Sequence, residues 1–231
     1  MAIDAAQAAR GHGGPDEQRR DRMAARLERT WRRRGPAALA LYPVSLIYRG
    51  AMAARRVAYG IGLASSFRAP VPVIVVGNIT VGGSGKTPFT IWLVRWLRDR
   101  GWRPGVILRG YRGNSKTWPV MVTAATDPGV AGDEAVLLAA RTGVPVVAGP
   151  DRAADCRALL ARSDCDVVVS DDGLQHLALA RDFEIALDDP VGGRGNGWCL
   201  PAGPLREPVG RPRTTSTSWS STTIPCAGWC R

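Results

Sequence analysis

Between Val71 and Leu97 the chain reads VPVIVVGNITVGGSGKTPFTIWLVRWL, and no other stretch so narrows what it can fold into. Val71, Val73, Ile74, Val75 and Val76 form an apolar, β-branched run that is too short for a membrane span and suits a strand buried on both faces. The run breaks at Gly77-Asn78 into a glycine-rich turn ending in Gly85-Lys86-Thr87. Beyond it, Ile91, Leu93, Val94, Trp96 and Leu97 recur at helical spacing. Strand, glycine turn and helix in this order form the context of a phosphate-binding P-loop. Backbone N–H groups must approach a triphosphate closely, and residues without Cβ let the main chain curl around it.

On this reading the cradle comprises Thr80, Val81, Gly82, Gly83, Ser84 and Gly85. Lys86 would place its charge on the β- and γ-phosphates, Thr87 would offer a hydroxyl to Mg²⁺, and the helix N-terminus would add its dipole. The spacing departs from the usual Gly-x4-Gly-Lys-[Ser/Thr] at one place, Thr80, where glycine is expected.

A chain of 231 residues with 45% apolar content can bury one good core. Its net charge of +11 is unevenly placed: residues 1–68 hold thirteen arginines against five acids. That concentration is the footprint of an anionic partner, nucleic acid or an acidic membrane surface. Pro36 to Tyr48 is an uncharged run of 13 residues flanked by Arg32-Arg33-Arg34 and Arg49. Such a run cannot span a bilayer, which needs about 20 residues, but it can lie in the interface with arginines on lipid phosphates. A core helix with solvated basic flanks would share the pattern. Nucleic acid is disfavoured, because no aromatics interleave with the arginines as on a stacking platform. A cleaved signal peptide is not expected, since the apolar run follows 35 mostly polar residues. The cysteines at 156, 165, 199, 226 and 230 are odd in number and lack CxxC spacing, which suggests a reducing compartment and no zinc site.

Four segments are expected: a basic, disordered leader over 1–35, an interfacial segment over 36–68, a P-loop core over 69–209 and a tail over 210–231. Within the core, Arg103 to Leu108 reads as a strand feeding the arginine-bearing turn Arg109-Gly-Tyr-Arg-Gly113. Ala131-Gly132-Asp133-Glu134 precedes a helix over Ala135 to Arg141, with the acids explained as an N-cap and its dipole-complementing neighbour, or as a general base. Val144 to Ala148 is a strand and Ala153 to Arg162 a helix. Asp166 to Ser170 then runs into Asp171-Asp172-Gly173. A hydrophobic strand ending in acid downstream of a P-loop is the Walker B arrangement, in which a carboxylate reaches Mg²⁺ directly or through water. His176 follows closely, Phe183 to Leu187 is a further strand, Gly192 to Gly197 a mobile loop, and Leu200 to Pro208 a stiff turn presenting Arg206 and Glu207.

Taken together, GNITVGGSGKTP, LRGYRG, GDEA, DDGLQHLALARDFEI and LPAGPLREP resemble, in order and separation, the tetraacyldisaccharide 4'-kinases. The resemblance covers Ala37 to Pro208, and the family's own loop has this TVGGxGKT form, Thr80 included. It implies a P-loop α/β kinase at the cytoplasmic face of a Gram-negative inner membrane, using ATP and Mg²⁺. The γ-phosphoryl group would pass to the 4'-hydroxyl of the lipid A disaccharide precursor, tetraacyldisaccharide 1-phosphate. It further implies that Asp133 is the base, that Asp171 and Asp172 are metal and water ligands, and that Arg206 and Glu207 belong to the nucleotide and Mg²⁺ site. The partners would be that lipid and an anionic membrane surface, with no nucleic acid.

After Pro208 the text changes to a Ser/Thr-rich stretch without acids, whereas the family continues as an α/β lobe that supplies a histidine partner to the base. A lost reading frame near residue 210 accounts for the change. The expectation is then a fragment that binds ATP weakly and lacks activity. The rival is a P-loop ATPase switch driving partner assembly at a membrane surface; no guanine-reading Asn/Thr-Lys-x-Asp motif supports a GTPase.

Overall fold

The computed structural model describes residues 27–82, 85–187 and 193–209. The tail from 210, with Cys226 and Cys230, lies outside the described residues, as do Gly83, Ser84, Gly192 and the first 26 residues of the leader.

Helix α1 spans Pro36–Gly60, with proline in its first turn, where a missing N–H costs nothing. Next come β1 (Val73–Asn78), α2 (Lys86–Arg98), β2 (Pro104–Leu108), β3 (Val120–Val122), α3 (Pro128–Ala131) and α4 (Asp133–Thr142). The described chain then adds β4 (Val146–Ala148), α5 (Arg152–Arg162), β5 (Val167–Asp171) and β6 (Phe183–Leu187).

One six-stranded sheet has the order β3-β4-β2-β5-β1-β6. β1 lies between β5 and β6, parallel to both, with Val76 opposite Asp171. This register brings the start of the glycine turn and the acidic strand end together at the C-terminal end of the sheet's parallel strands. The sheet is parallel, as expected of a P-loop α/β fold, except at its margin, where β3 pairs antiparallel to β4. An edge strand has a free side and needs no crossover helix, so antiparallel pairing there is inexpensive.

Both faces are covered, which is why β1, β2 and β5 read as unbroken apolar runs. On one face Leu93, Val94 and Leu97 of α2 and Ala135, Leu138 and Ala139 of α4 pack on Val76, Val106, Leu108 and Val169. On the other, Cys156 and Leu159 of α5 join Leu174 and Leu179 against Val73, Val75, Ile107 and Val168. Cys156, Cys165 and Cys199 are buried free thiols.

The uncharged run at 36–48 is the first half of a longer helix that continues past Arg49 to Gly60, within the expected 36–68 segment, and at 25 residues it is long and apolar enough, by length and composition alone, to cross a membrane. The leader is shorter than expected. Residues 27–31 are helical, Trp31 is buried, and its indole N–H donates to the Pro201 carbonyl at 2.9 Å. The indole finds an apolar bed and an acceptor in the 193–209 segment, which sequence spacing cannot reveal.

Candidate functional site

The first turn of α2 begins where Gly85 adopts φ 69°, a left-handed conformation that a side chain would resist. Lys86 is the first helical residue. Its ammonium donates to the Asn78 side-chain carbonyl at 3.1 Å and lies 3.8 Å from an Asp172 carboxylate oxygen. Arg206 reaches the same carboxylate, with its guanidinium 3.2 Å from both oxygens. Two cations from distant parts of the chain therefore converge on one acid at the ends of β1 and β5. An anionic phosphate could take over part of Asp172's role as their counterion.

Asp171 points elsewhere. It closes β5, is buried, and accepts from Thr90 at 3.1 Å and from the Asp172 amide at 3.1 Å. Burial, reinforced by the neighbouring Glu134 charge and only partly offset by Thr90, pushes its carboxyl up to about 7. Thr87 donates its hydroxyl to Glu134. Glu134 is thus a site residue without an assigned role in the sequence reading; its partner is 47 residues away, and no local pattern connects them.

The hydroxyl of Thr87 and the carboxylates of Glu134 and Asp171 form a small oxygen set with two like charges held close in a partly dry place. A divalent cation would relieve that repulsion, and Mg²⁺ accepts one or two carboxylates, a hydroxyl and otherwise water or phosphate oxygens. Among the described residues no group of three or more His, Cys, Asp or Glu side chains gathers as an all-protein cage. Mg²⁺ does not demand one. The oxygen donors fit.

The remaining expected site residues divide. Thr80 is buried and bridges Leu205 as an antiparallel pair, while the Val81 amide donates to the Pro204 carbonyl at 2.8 Å. That amide is engaged with the 193–209 segment instead of facing the turn's interior, because Ile79 to Val81 pairs with Pro204 to Arg206. Gly82, at φ 129°, accepts from the Asn78 side chain at 3.3 Å. Glu207 is buried, accepts from Gln175 at 2.9 Å and lies 4.0 Å from Arg56 of α1.

Asp133 is exposed at the start of α4. It is not the cap: Gly132 holds that position with φ 90°, where a Cβ would run into the Tyr111 carbonyl. Through that close approach the Arg109–Gly113 turn and the Gly132-Asp133-Glu134 turn pack together, which explains why both are glycine-bearing. His176 is held neutral, near pKa 4, by burial and by the cations Arg152, Arg109 and Arg55, against a smaller pull from Asp172. Arg152 is itself buried and donates to the carbonyls of Gly149 at 2.7 Å and Asp171 at 3.4 Å, bracing the end of β5. The 193–197 stretch is no plain linker: Asn196 is buried, with its amide group donating to Ala202 and accepting from the Trp198 N–H.

A buried parallel strand, a glycine turn with lysine and threonine at a helix start, and an adjacent strand ending in acid define a P-loop protein with a phosphate site at the C-terminal ends of its central strands. The sequence model of the tetraacyldisaccharide-1-P 4'-kinases matches residues 37–221. The chain belongs to that family. It is 59% identical over 182 residues to the tetraacyldisaccharide 4'-kinase of Azoarcus sp. and 53% identical over 186 residues to that of Nitrosococcus oceani. These matches cover 78% and 80% of this chain and 53% and 55% of the relatives. The chain therefore spans about half the length of the curated relatives it matches. The fold is similar to the crystal structure of "apo" form LpxK from Aquifex aeolicus in complex with ATP, with a TM-score of 0.66 and 36% identity, covering 74% of this chain and 55% of that one.

Proposed function

We propose that this chain carries the ATP site of a kinase that phosphorylates the 4'-hydroxyl of tetraacyldisaccharide 1-phosphate. The observation that carries the reading is the convergence of Lys86 and Arg206 on Asp172, beside the Thr87–Glu134–Asp171 oxygen set. Phosphoryl transfer asks the protein mainly for positioning and charge neutralisation. Lys86 supplies a point charge to the β- and γ-phosphates, and Arg206 a planar guanidinium to the transferring group. Asp133, exposed and next to Glu134 at the start of α4, is the proposed base. Thr87, Glu134 and Asp171 would hold Mg²⁺, with Asp172 and Glu207 as further oxygen donors; the bound ion supplies neutralisation of phosphate charge. The relatives' names and the ATP in the similar crystal structure support the choice of nucleotide and acceptor.

Helix α1 supports a place at a membrane. Leu39, Val44, Leu46, Ile47 and Val57 are exposed along its outer face, Ile47 by 73%, while the inward face meets protein. A helix whose apolar side faces outward suits a lipid interface. Because the inward stripe contacts the fold along the helix, α1 lies on the surface of an anionic, cytoplasmic leaflet instead of crossing it.

The test is incubation with γ-labelled ATP and tetraacyldisaccharide 1-phosphate in mixed micelles, alongside nucleotide titration. Label on the lipid supports the kinase. Phosphate release without lipid labelling favours an ATPase switch, and failure to bind ATP at all overturns the site.

A further inference from the structure

Two hydroxyl side chains of helix α1 donate to carbonyls of the segment that carries Arg206. Ser45, wholly buried within an otherwise apolar turn, donates to the Cys199 carbonyl at 2.7 Å. One turn on, the Tyr48 hydroxyl donates to the carbonyl of Arg206 itself at 2.9 Å. The Arg206 amide, on its other side, donates to the Ile79 carbonyl at 2.7 Å. Both main-chain hydrogen-bonding groups of Arg206 are therefore clamped, one by the strand leaving β1 and one by α1. Fixing the backbone on both sides aims the guanidinium at the Asp172 carboxylate, 3.2 Å away. The same helix approaches Glu207 with Arg56 at 4.0 Å. Next to it, Tyr42 stacks on Trp198 with ring centroids 4.5 Å apart.

We propose that Tyr48, seconded by Ser45, is a positioning residue for the phosphate site: through its hydroxyl the helix facing the lipid sets the direction in which Arg206 points. This rests on the reading of the site as an ATP site. The geometry separates positioning from plain support. Tyr48 bonds the backbone carbonyl of Arg206 and not its guanidinium, so its hydrogen bond to the site acts on where that side chain starts. Removing the hydroxyl while keeping the ring should leave the packing of α1 intact and loosen a single backbone anchor. A catalytic arginine needs placement within a fraction of an ångström, so one lost anchor should be felt as affinity.

The experiment is a double-mutant cycle on ATP affinity, with Tyr48→Phe, Arg206→Ala and the pair, each checked by thermal melting. The expected result is a loss of about fivefold in ATP affinity for Tyr48→Phe, one hydrogen bond's worth. In the Arg206→Ala background the same change should cost nothing further. Ser45→Ala, as a second variant, should show the same pattern. An equal loss in both backgrounds would make Tyr48 merely structural, and no loss in wild type would end the proposal. Wild-type protein that binds no ATP overturns both this inference and the site it rests on, which is a different result from wild-type binding unmoved by Tyr48→Phe.

Discussion

Lys86, at the head of α2, and Asp172, one residue past the end of β5, stand 3.8 Å apart, with the Arg206 guanidinium 3.2 Å from the same carboxylate. Asp172 holds this place at φ 49°, a left-handed conformation that costs a non-glycine residue on the order of 1 kcal/mol. Backbone strain of this kind is retained where the surroundings fix it, here through the Asp172 amide bound to Asp171.

Lys86→Ala should abolish measurable ATP binding, weakening it by roughly a hundredfold or more, while leaving the fold in place. Asp172 keeps Arg206 as partner in the variant, so no acid is stranded, and a partly exposed ion pair contributes about 1 kcal/mol or less. A fluorescent ATP analogue and a thermal melt check the two halves; unchanged affinity would remove the basis of the P-loop assignment.

Glu134→Gln should reduce the Mg²⁺ dependence of ATP binding. The substitution keeps the hydrogen bond available to Thr87 but removes one of the two charges that a divalent ion would balance. Loss of a metal-site partner typically costs 10–100-fold in metal affinity. Titrating Mg²⁺ at fixed ATP reads the effect, and a wild-type Mg²⁺ midpoint in the variant would exclude Glu134 from the metal site.

Why Glu134 had no role on the sequence while Asp171 did is a matter of range. β1, α2 and β5 are legible because a buried parallel strand is a continuous apolar run, and the glycine turn and acidic strand end mark where each stops. Glu134 meets Thr87 only because α4 packs beside α2, a relation that no window of residues contains. The full extent of α1 was hidden for a similar reason. Arg49 ends the uncharged run, but a helix ends where its backbone bonds end, and Arg56 is accommodated by facing Glu207. β3 was missed because three residues after Trp118-Pro119 give almost no period to read. The clamps on Arg206 from Ile79 and Tyr48 belong to this class as well.

His176 yields a pH prediction. Burial and the cations Arg152, Arg109 and Arg55 hold it neutral near pKa 4, against an ordinary value of 6.5. Its unfolded form takes up a proton first as pH falls, so its contribution is fully present above about 6.5 and is lost toward pH 4. The loss is at most about 3 kcal/mol. Asp155 and Asp171, both raised to about 7 chiefly by burial, act oppositely and gain stability on protonation. The His176 contribution is therefore read as the difference between wild type and His176→Gln in urea melts from pH 7.5 to 4.5. The gap should shift progressively in the variant's favour below about pH 6.5, and a gap independent of pH would show that His176 titrates normally.

Ile47 tests the lipid-facing side of α1 apart from its inward stripe. The side chain is 73% exposed, so it contributes little to the folded protein, and Ile47→Ser should move the melting temperature hardly at all. On a bilayer the same side chain would bury its apolar surface, worth roughly 1.5–3 kcal/mol for a residue of this size. Partition onto vesicles containing phosphatidylglycerol should consequently fall about tenfold or more. Arg49 and Arg55, both exposed, remain in the variant, so the electrostatic attraction and its salt dependence should persist. Co-sedimentation at low and high salt separates the two contributions. If Ile47→Ser sediments like wild type at high salt, where charge is screened, then the outer face of α1 does not enter lipid and the helix is held to the surface by its arginines alone.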